Sequence, residues 1–492
     1  MDGTDGTDGG IRQRGLLRAR SATAVKVVAA VTGLVLLSAC GGGSSDGDGT
    51  DGGKNAGSGG RAAATGGPAY KGPELPGFAK KAAWSLPPTE GGGTPGALDL
   101  GETLLFAKDA SGKYVDNSGP EKGSEQGEKH FLHSSDEPES LTLEFRDAKT
   151  GAVTKSLKVK TDSVTATTWH DGAPAVAVAT SSTSASDGLT EAKKTSTATL
   201  YDAHGAKLGS SPVPQDKYNN DDPRLLTEGY RVELDDDVIR LVPIDGGTTR
   251  TITCTGQLAQ CEFHPETGTA DGFATHAPLI SGQYYAGFLN ATNYDNDREQ
   301  ITLSDLATGK QVWSTADVEV PKGVALDDDG ERQSGAVRVV RVADGKVLVA
   351  WSANVTASSW MYAWYDVKSG ALTGSYEAPE DALLSPSGEL AAKDREEIGE
   401  FDGTAVWQVA DGKQLWAQTE GETALDPVRF TADGSVLYGL TDGDTGLVVD
   451  ARTRKVLVKN LPEDHIPFVD AATGYGYLST EDGFFTFAPS ES

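Results

Sequence analysis

The 492-residue chain is poor in sulfur: it has three cysteines and two methionines, and no two cysteines are adjacent or spaced CxxC. That excludes a thiolate metal ribbon and a thioredoxin-type redox pair. Cations are scarce too, with 43 Lys and Arg against 72 Asp and Glu, for a net charge of −29. Nucleic-acid binding needs a basic patch to neutralise phosphates, so that class is excluded, and the acidic balance reads as solubility. No apolar run reaches the ~20 residues that cross a bilayer as a helix. No Gly-x-Ser-x-Gly nucleophile elbow occurs. After about Ala79 there is no convincing amphipathic helix, and candidates such as Asp381 to Glu400 are broken by Pro386, Gly388 and Gly399.

What is present begins with an address. Arg12, Arg14, Arg18, Arg20 and Lys26 precede an uncharged stretch from Val27 to Leu37, the layout of a secretory leader. The stretch ends in Leu37-Ser38-Ala39-Cys40, which resembles the bacterial lipobox. The resemblance implies diacylglyceryl transfer to Cys40 and cleavage before it. The expectation is therefore a lipid-anchored protein on the extracytoplasmic face of the cell membrane. One acyl chain binds a bilayer only marginally, at ~0.8 kcal/mol per buried CH₂, whereas two hold it. The acidic repeat from Asp2 to Gly10 ahead of the basic residues would fit a start codon downstream of Met1.

Residues 1–39 are thus read as signal peptide, 40–77 as lipidated cysteine and linker, and 78–492 as the folded domain. Gly41 to Gly67 has almost nothing apolar to bury. As a flexible coil it would reach about 30 Å. The two other cysteines, Cys254 and Cys261, flank a turn between apparent strands, and an oxidising compartment would let them form a disulfide. Closing so short a loop contributes roughly 2–3 kcal/mol in the chain-entropy picture.

The body alternates short Val/Thr/Leu/Tyr/Trp runs with Gly/Asp/Asn/Ser clusters, the pattern of an all-β domain. One unit recurs: strand, Asp-x-x-(Thr/Ser)-Gly-Lys, strand. Its clear copies centre on Asp305 and Gly309, on Asp366 and Gly370, and on Asp411 and Gly412, where the turn reads as shortened at Ala410. Weaker copies lie at Asp147, Asp202 and Asp450, and marginal ones at Asp245 and Asp109. Aspartate accepts hydrogen bonds from turn amides, and glycine takes the positive-φ position. A second hairpin type, Ser385-Pro386-Ser387-Gly388 and Thr431-Ala432-Asp433-Gly434, alternates with the first. Recurrence every ~40–50 residues with two hairpin types is the sequence mark of a four-stranded propeller blade.

The Asp-x-x-Thr-Gly-Lys-x-Val/Leu-Trp unit is similar to the repeat of pyrroloquinoline-quinone-like (quinoprotein) β-propellers, and the second hairpin to WD40-like blades. The resemblance implies one propeller of seven, alternatively eight, four-stranded blades. It implies that Trp313 and Trp416 pack between neighbouring blades. The strand Gly476 to Ser479 or Phe484 to Phe487 would close a sheet with the segment near Trp84. The quinone-dependent members use Ca²⁺ and, in some cases, a disulfide between adjacent cysteines, which has no counterpart here. No cofactor is therefore expected. Ca²⁺ is the one candidate ion, at carboxylate groups such as Asp221-Asp222, Asp235 to Asp237, Asp295/Asp297 and Asp327 to Asp329, none with EF-hand spacing. The histidines are scattered, His130 and His133 being the nearest to a pair. The aromatic run from Trp360 to Tyr365 places Trp360, Tyr362 and Trp364 on one strand face, read as core. The family includes envelope-assembly lipoproteins whose blades dock other proteins. The expected role is a non-catalytic binding or scaffold module for an envelope protein, glycan or small ligand, the alternative being an extracellular propeller enzyme.

Overall fold

The computed structural model describes residues 67–490 except 90–92, 117–130, 184–193, 214–224, 236–237, 254–278, 282–283, 291–299, 307, 309, 327–336, 344, 353–358, 380–381, 398–399, 411–412, 420 and 442–444. Met1–Ser58 and Gly59–Ser492 are separate units, and the architecture below is that of the second. The lipobox with Cys40, the pair Cys254 and Cys261, and Gly309, Asp411 and Gly412 lie outside the described residues. So do Asp221-Asp222, Asp236-Asp237, Asp295/Asp297 and Asp327 to Asp329.

Among the described residues there is no α-helix, and antiparallel strands make up seven sheets. Sheet I spans 97–212, sheet II 226–253, sheet III 279–314, sheet IV 337–379, sheet V 383–417 and sheet VI 426–462. Sheet VII joins the strands of 468–487 to Trp84–Leu86. The second strands are apolar without alternation, as in Lys346–Ser352, where all but the first residue are buried. A strand with a neighbouring sheet on each face has no solvent side to make polar. Outer strands such as Val456–Pro462 are mostly exposed.

Among the described residues, sheets adjacent in the chain pack face to face at six junctions. Separate cores lie between I and II (Leu200, Leu226), III and IV (Trp313, Tyr365), IV and V (Tyr362, Trp407), V and VI (Trp416, Leu447), VI and VII (Tyr438, Phe485), and VII and I (Trp84, Phe106). The chain ends meet: Trp84 pairs with Thr486 and Leu86 with Phe484, so the first strand is the outer edge of the last sheet. That closure, which the sequence pattern anticipates, seals two edges that would otherwise be open. The fold is an all-β propeller.

The expectation of seven, alternatively eight, uniform four-stranded blades is corrected. Five blades, sheets II to VI, are regular, each made of four consecutive strands. The rest of the ring is the composite sheet VII and the seven-stranded sheet I. Sheet I stays whole because the 17-residue strand Val153–Trp169 pairs with Phe131–Asp147 over its opening stretch and with Ala173–Thr183 over its closing one. Where a turn would separate one sheet from the next, the Thr161 hydroxyl donates to Ser163 O (2.7 Å) and Ala179 O (2.5 Å), and the Asp162 carboxylate accepts from Ser181 N (3.0 Å).

Candidate functional site

The turn between the third and fourth strands of a sheet is built by its aspartate. Asp366 Oδ1 accepts from Ser369 N (2.8 Å), Ser369 Oγ (2.7 Å) and Lys368 N (3.1 Å). Asp305 accepts from Thr308 N (2.5 Å) and Oγ1 (2.6 Å), and Asp147 and Asp450 repeat the pattern with Thr150 and Thr453. The hydroxyl of Ser369, followed by its amide, holds the Asp366 carboxyl below the usual carboxylate range. These carboxylates serve their own turns. Gly370 completes its turn at φ +67°, and a Cβ there would lie 2.7 Å from Val318 Cγ1.

Three of these turns also offer a carbonyl to the preceding sheet. Trp313 Nε1 donates to Val367 O (3.0 Å), Trp416 Nε1 to Ala451 O (2.8 Å) and Trp84 Nε1 to Ala148 O (2.8 Å). Each acceptor is the residue after the turn aspartate. Its own amide donates to the first hairpin of its sheet: Val367 N to Gly345 O, Ala451 N to Ser435 O and Ala148 N to Glu102 O. Thus Trp313 and Trp416 do stand between sheets. Trp84 was missed because it precedes every repeat in the chain and belongs to the last sheet.

The same amide contact identifies the equivalent residue in sheet V as Val409, whose N donates to Glu389 O (2.9 Å). Gln408, paired with Lys413, therefore holds the aspartate position. Glutamine thus stands where the other turns have aspartate, and Asp411 and Gly412 themselves lie outside the described residues. Ser385 and Thr431 each bind the closing strand of the first hairpin, Leu390 N to Ser385 Oγ and Val436 N to Thr431 Oγ1, both at 3.0 Å.

At the junction of sheets IV and V no tryptophan comes from the outer strand. The position four residues past the turn glycine, held by Trp313 in sheet III and Trp416 in sheet V, is Gly374 in sheet IV. Its cross-strand partner is Trp364, where Trp313 and Trp416 face Leu303 and Val406. The aromatic group has moved one strand inward. A cleft of about 450 Å³ opens beside it, lined by Trp364, Thr373 and Gln408 and by the charged Lys346, Glu389 and Arg452. Arg452 reaches from sheet VI to Glu389 of sheet V (Nη2 to Oε2, 2.7 Å). Trp360 and Tyr362, from the same strand face as Trp364, are buried in the core between sheets IV and V, so the aromatic stripe runs from core to cleft. Among the described residues nothing accepts from Trp364 Nε1 and nothing donates to Val409 O.

Other polar groupings are engaged locally. His170 Nε2 lies 3.2 Å from Asp245 Oδ2, His133 Nε2 4.0 Å from Glu139, and His465 Nδ1 2.8 Å from Asp464. His130 lies outside the described residues. A buried network that sequence reading missed joins Glu144 to Lys108 (2.7 Å), Arg146 (2.6 Å) and Tyr114 (3.2 Å). Burial would raise the Glu144 carboxyl, but its two cations outweigh that and hold it below the usual range. The signal was the spacing of Glu144 and Arg146 by two within an apolar strand, which puts both on one face. Among the described residues no three metal-capable side chains converge.

No family model matches the chain, and no curated protein matches it. Solved structures similar to it include BamB from Moraxella catarrhalis (11% identity, 80% of this chain and 92% of that one, TM-score 0.35). The computationally designed Ika8 protein has 11% identity over 72% of this chain and 94% of its own, with TM-score 0.32. The Dos1 propeller has 12% identity over 82% and 96%, with TM-score 0.30. Likenesses this loose carry no argument about function. The propeller assignment rests on the sheet order, the inter-sheet cores and the pairing of Trp84 with Thr486.

Proposed function

We propose that the protein is an exported, lipid-anchored propeller that serves as a non-catalytic binding or scaffold module at the extracytoplasmic face of the cell membrane. The leader and the lipobox ending at Cys40 support the location, and the Gly/Ser/Asp linker would hold an acidic domain clear of anionic headgroups. The observation that carries the binding role is the cleft between sheets IV and V. It is concave, half apolar, rimmed by charge and open at a junction type that tryptophan closes elsewhere in the ring. The turn carboxylates point back into their own backbone and act as structure.

The test has two readouts. Metabolic labelling with a palmitate analogue should mark the wild-type protein and leave Cys40→Ala unmarked. Cross-linking in intact cells should join the protein to a defined envelope protein in stoichiometric yield, and a variant with the cleft filled should lose that partner. An unlabelled wild-type protein recovered from cytosol, or a partner indifferent to the cleft, would overturn the proposal.

A further inference from the structure

Ahead of the first strand of the ring, residues 68–78 lie against sheets VI and VII and are held in two different ways. From Gly77 onward the hold is backbone. Ser490 N donates to Gly77 O (2.9 Å), Ala79 N to Ala488 O (2.8 Å) and Ala83 N to Thr486 O (2.7 Å). The pairing of Trp84 with Thr486 continues that ladder. From Pro68 to Pro76 the hold is side chain. Among the described residues no backbone–backbone hydrogen bond joins this stretch to a sheet. Tyr70 sets its ring edge-on to Phe485 (5.3 Å) and Phe487 (4.9 Å), and Leu75 is buried in the cluster of Tyr438, Leu461 and Ile466. Two hydroxyls reach it: Ser85 Oγ donates to Pro68 O (2.7 Å) and Tyr438 Oη to Pro76 O (2.6 Å). The exposed Glu74–Lys80 pair adds little. The change of hold falls on one residue. Gly77 has φ +87°, and a Cβ there would lie 2.6 Å from Thr431 Cγ2, so only glycine turns the chain here without strain. Pro68, Pro73 and Pro76 fix φ in the stretch before it, so that stretch keeps an extended shape when it leaves.

We infer that residues 68–76 are a releasable strap: they leave sheets VI and VII as a unit while the ring stays closed, and so give the tether two lengths. The use of the strap rests on the anchored reading above; its release does not. At ~3.3–3.6 Å per extended residue, the freed stretch adds about 30 Å of reach. A pull arriving from Cys40 meets Pro68 O first, then Tyr70, then Leu75, so the contacts are loaded one after another. The ladder from Gly77 stands behind them. A segment with few backbone bonds and few buried side chains opens at a free energy well below that of the whole fold.

The test is native-state proteolysis of the mature protein in detergent. Trypsin is added across a urea series below the unfolding midpoint, and mass spectrometry follows the cut after the exposed Lys71. The rate of that cut should rise with urea far less steeply than global unfolding does, because the steepness follows the surface exposed on opening. Leu75→Ala should speed it by roughly tenfold or more, as loss of a buried leucine implies. Gly370→Ala, which weakens the ring at the junction of sheets III and IV, should leave it unchanged. A urea dependence as steep as that of global unfolding means that the strap leaves only with the ring, and overturns the inference. So does a Gly370→Ala chain cut faster in proportion to its lost stability. Equal rates in wild type and Leu75→Ala mean that the segment is not held, and overturn it too. None of these outcomes touches the envelope partner or the label on Cys40, so the strap and the scaffold reading stand or fall separately.

Discussion

The junction between sheets V and VI and the one between IV and V use the same backbone and reach opposite ends. In the first, Trp416 is buried, faces Val406 across the strand pair and donates to Ala451 O. In the second, glycine stands where that tryptophan would be, tryptophan stands where the valine would be, and a cleft opens. Exchanging a large and a small residue within one cross-strand pair thus turns a sealed joint into a site, without altering the strands. The lesson is that a repeat fold can open a cleft by omission, leaving out at one junction the indole that three others carry.

The sharpest way to break that comparison is to empty a filled seat. Trp416→Ala should cost ~3–5 kcal/mol, the usual range for deleting a buried large aromatic, read as a lower urea midpoint. Trp364→Leu, at the open junction, should cost under ~1 kcal/mol because its side chain is only half-buried and its indole N–H bonds nothing among the described residues. Comparable losses at both would erase the distinction. Next in size is Gly370→Ala. Its φ of +67° and the 2.7 Å approach to Val318 should together cost ~2 kcal/mol, measured in the same denaturation. Trp416→Phe should keep most of the packing but strand the Ala451 carbonyl, for ~1–2 kcal/mol.

The smallest effect concerns pH. The Asp366 carboxyl sits below its ordinary value through the Ser369 hydroxyl and amide. At Asp450 burial pushes upward, and the Thr453 hydroxyl and amide outweigh it. A depressed folded value means that stability from these turns is fully present above the unfolded pKa of ~3.9 and is lost as pH falls through the lower folded value. The melting temperature should therefore be flat between neutral pH and about pH 5 and decline below about pH 4. Combining Ser369→Ala with Thr453→Val should make that acid decline shallower.

Much of the fold is legible in the chain because its signals are local. In turns such as Asp366 to Gly370 the aspartate, hydroxyl and glycine lie within five residues, and the buried runs are continuous, so strands and hairpins can be read without tertiary knowledge. The role of Gln408 was not legible: Asp411-Gly412-Lys413 draws the eye, and only the Val409-to-Glu389 contact shows Gln408 in the position that aspartate holds elsewhere. The turn Asp470-Ala471-Ala472-Thr473-Gly474 uses the same chemistry, with Ala472 N on Asp470 Oδ1 at 2.8 Å, but joins the first hairpin of sheet VII. Its short distance from Asp450 hid it from a search at blade-length spacing. The undivided sheet I was hidden because a strand passing from one partner to another needs no turn residue to announce it. The cleft was least legible of all. Gly374 looks like any strand glycine, and the meaning of Trp364 depends on which residue faces it across the sheet.

The measurement that tests the central claim most directly is the thermal midpoint of the Gly374→Trp, Trp364→Leu double variant beside wild type. If the junction of sheets IV and V is a tryptophan seat left open, the transplanted indole will reach Val409 O after a small shift of the turn at Ala410. The midpoint will then match or exceed that of wild type. A midpoint several degrees lower would show that the space was never shaped for an indole.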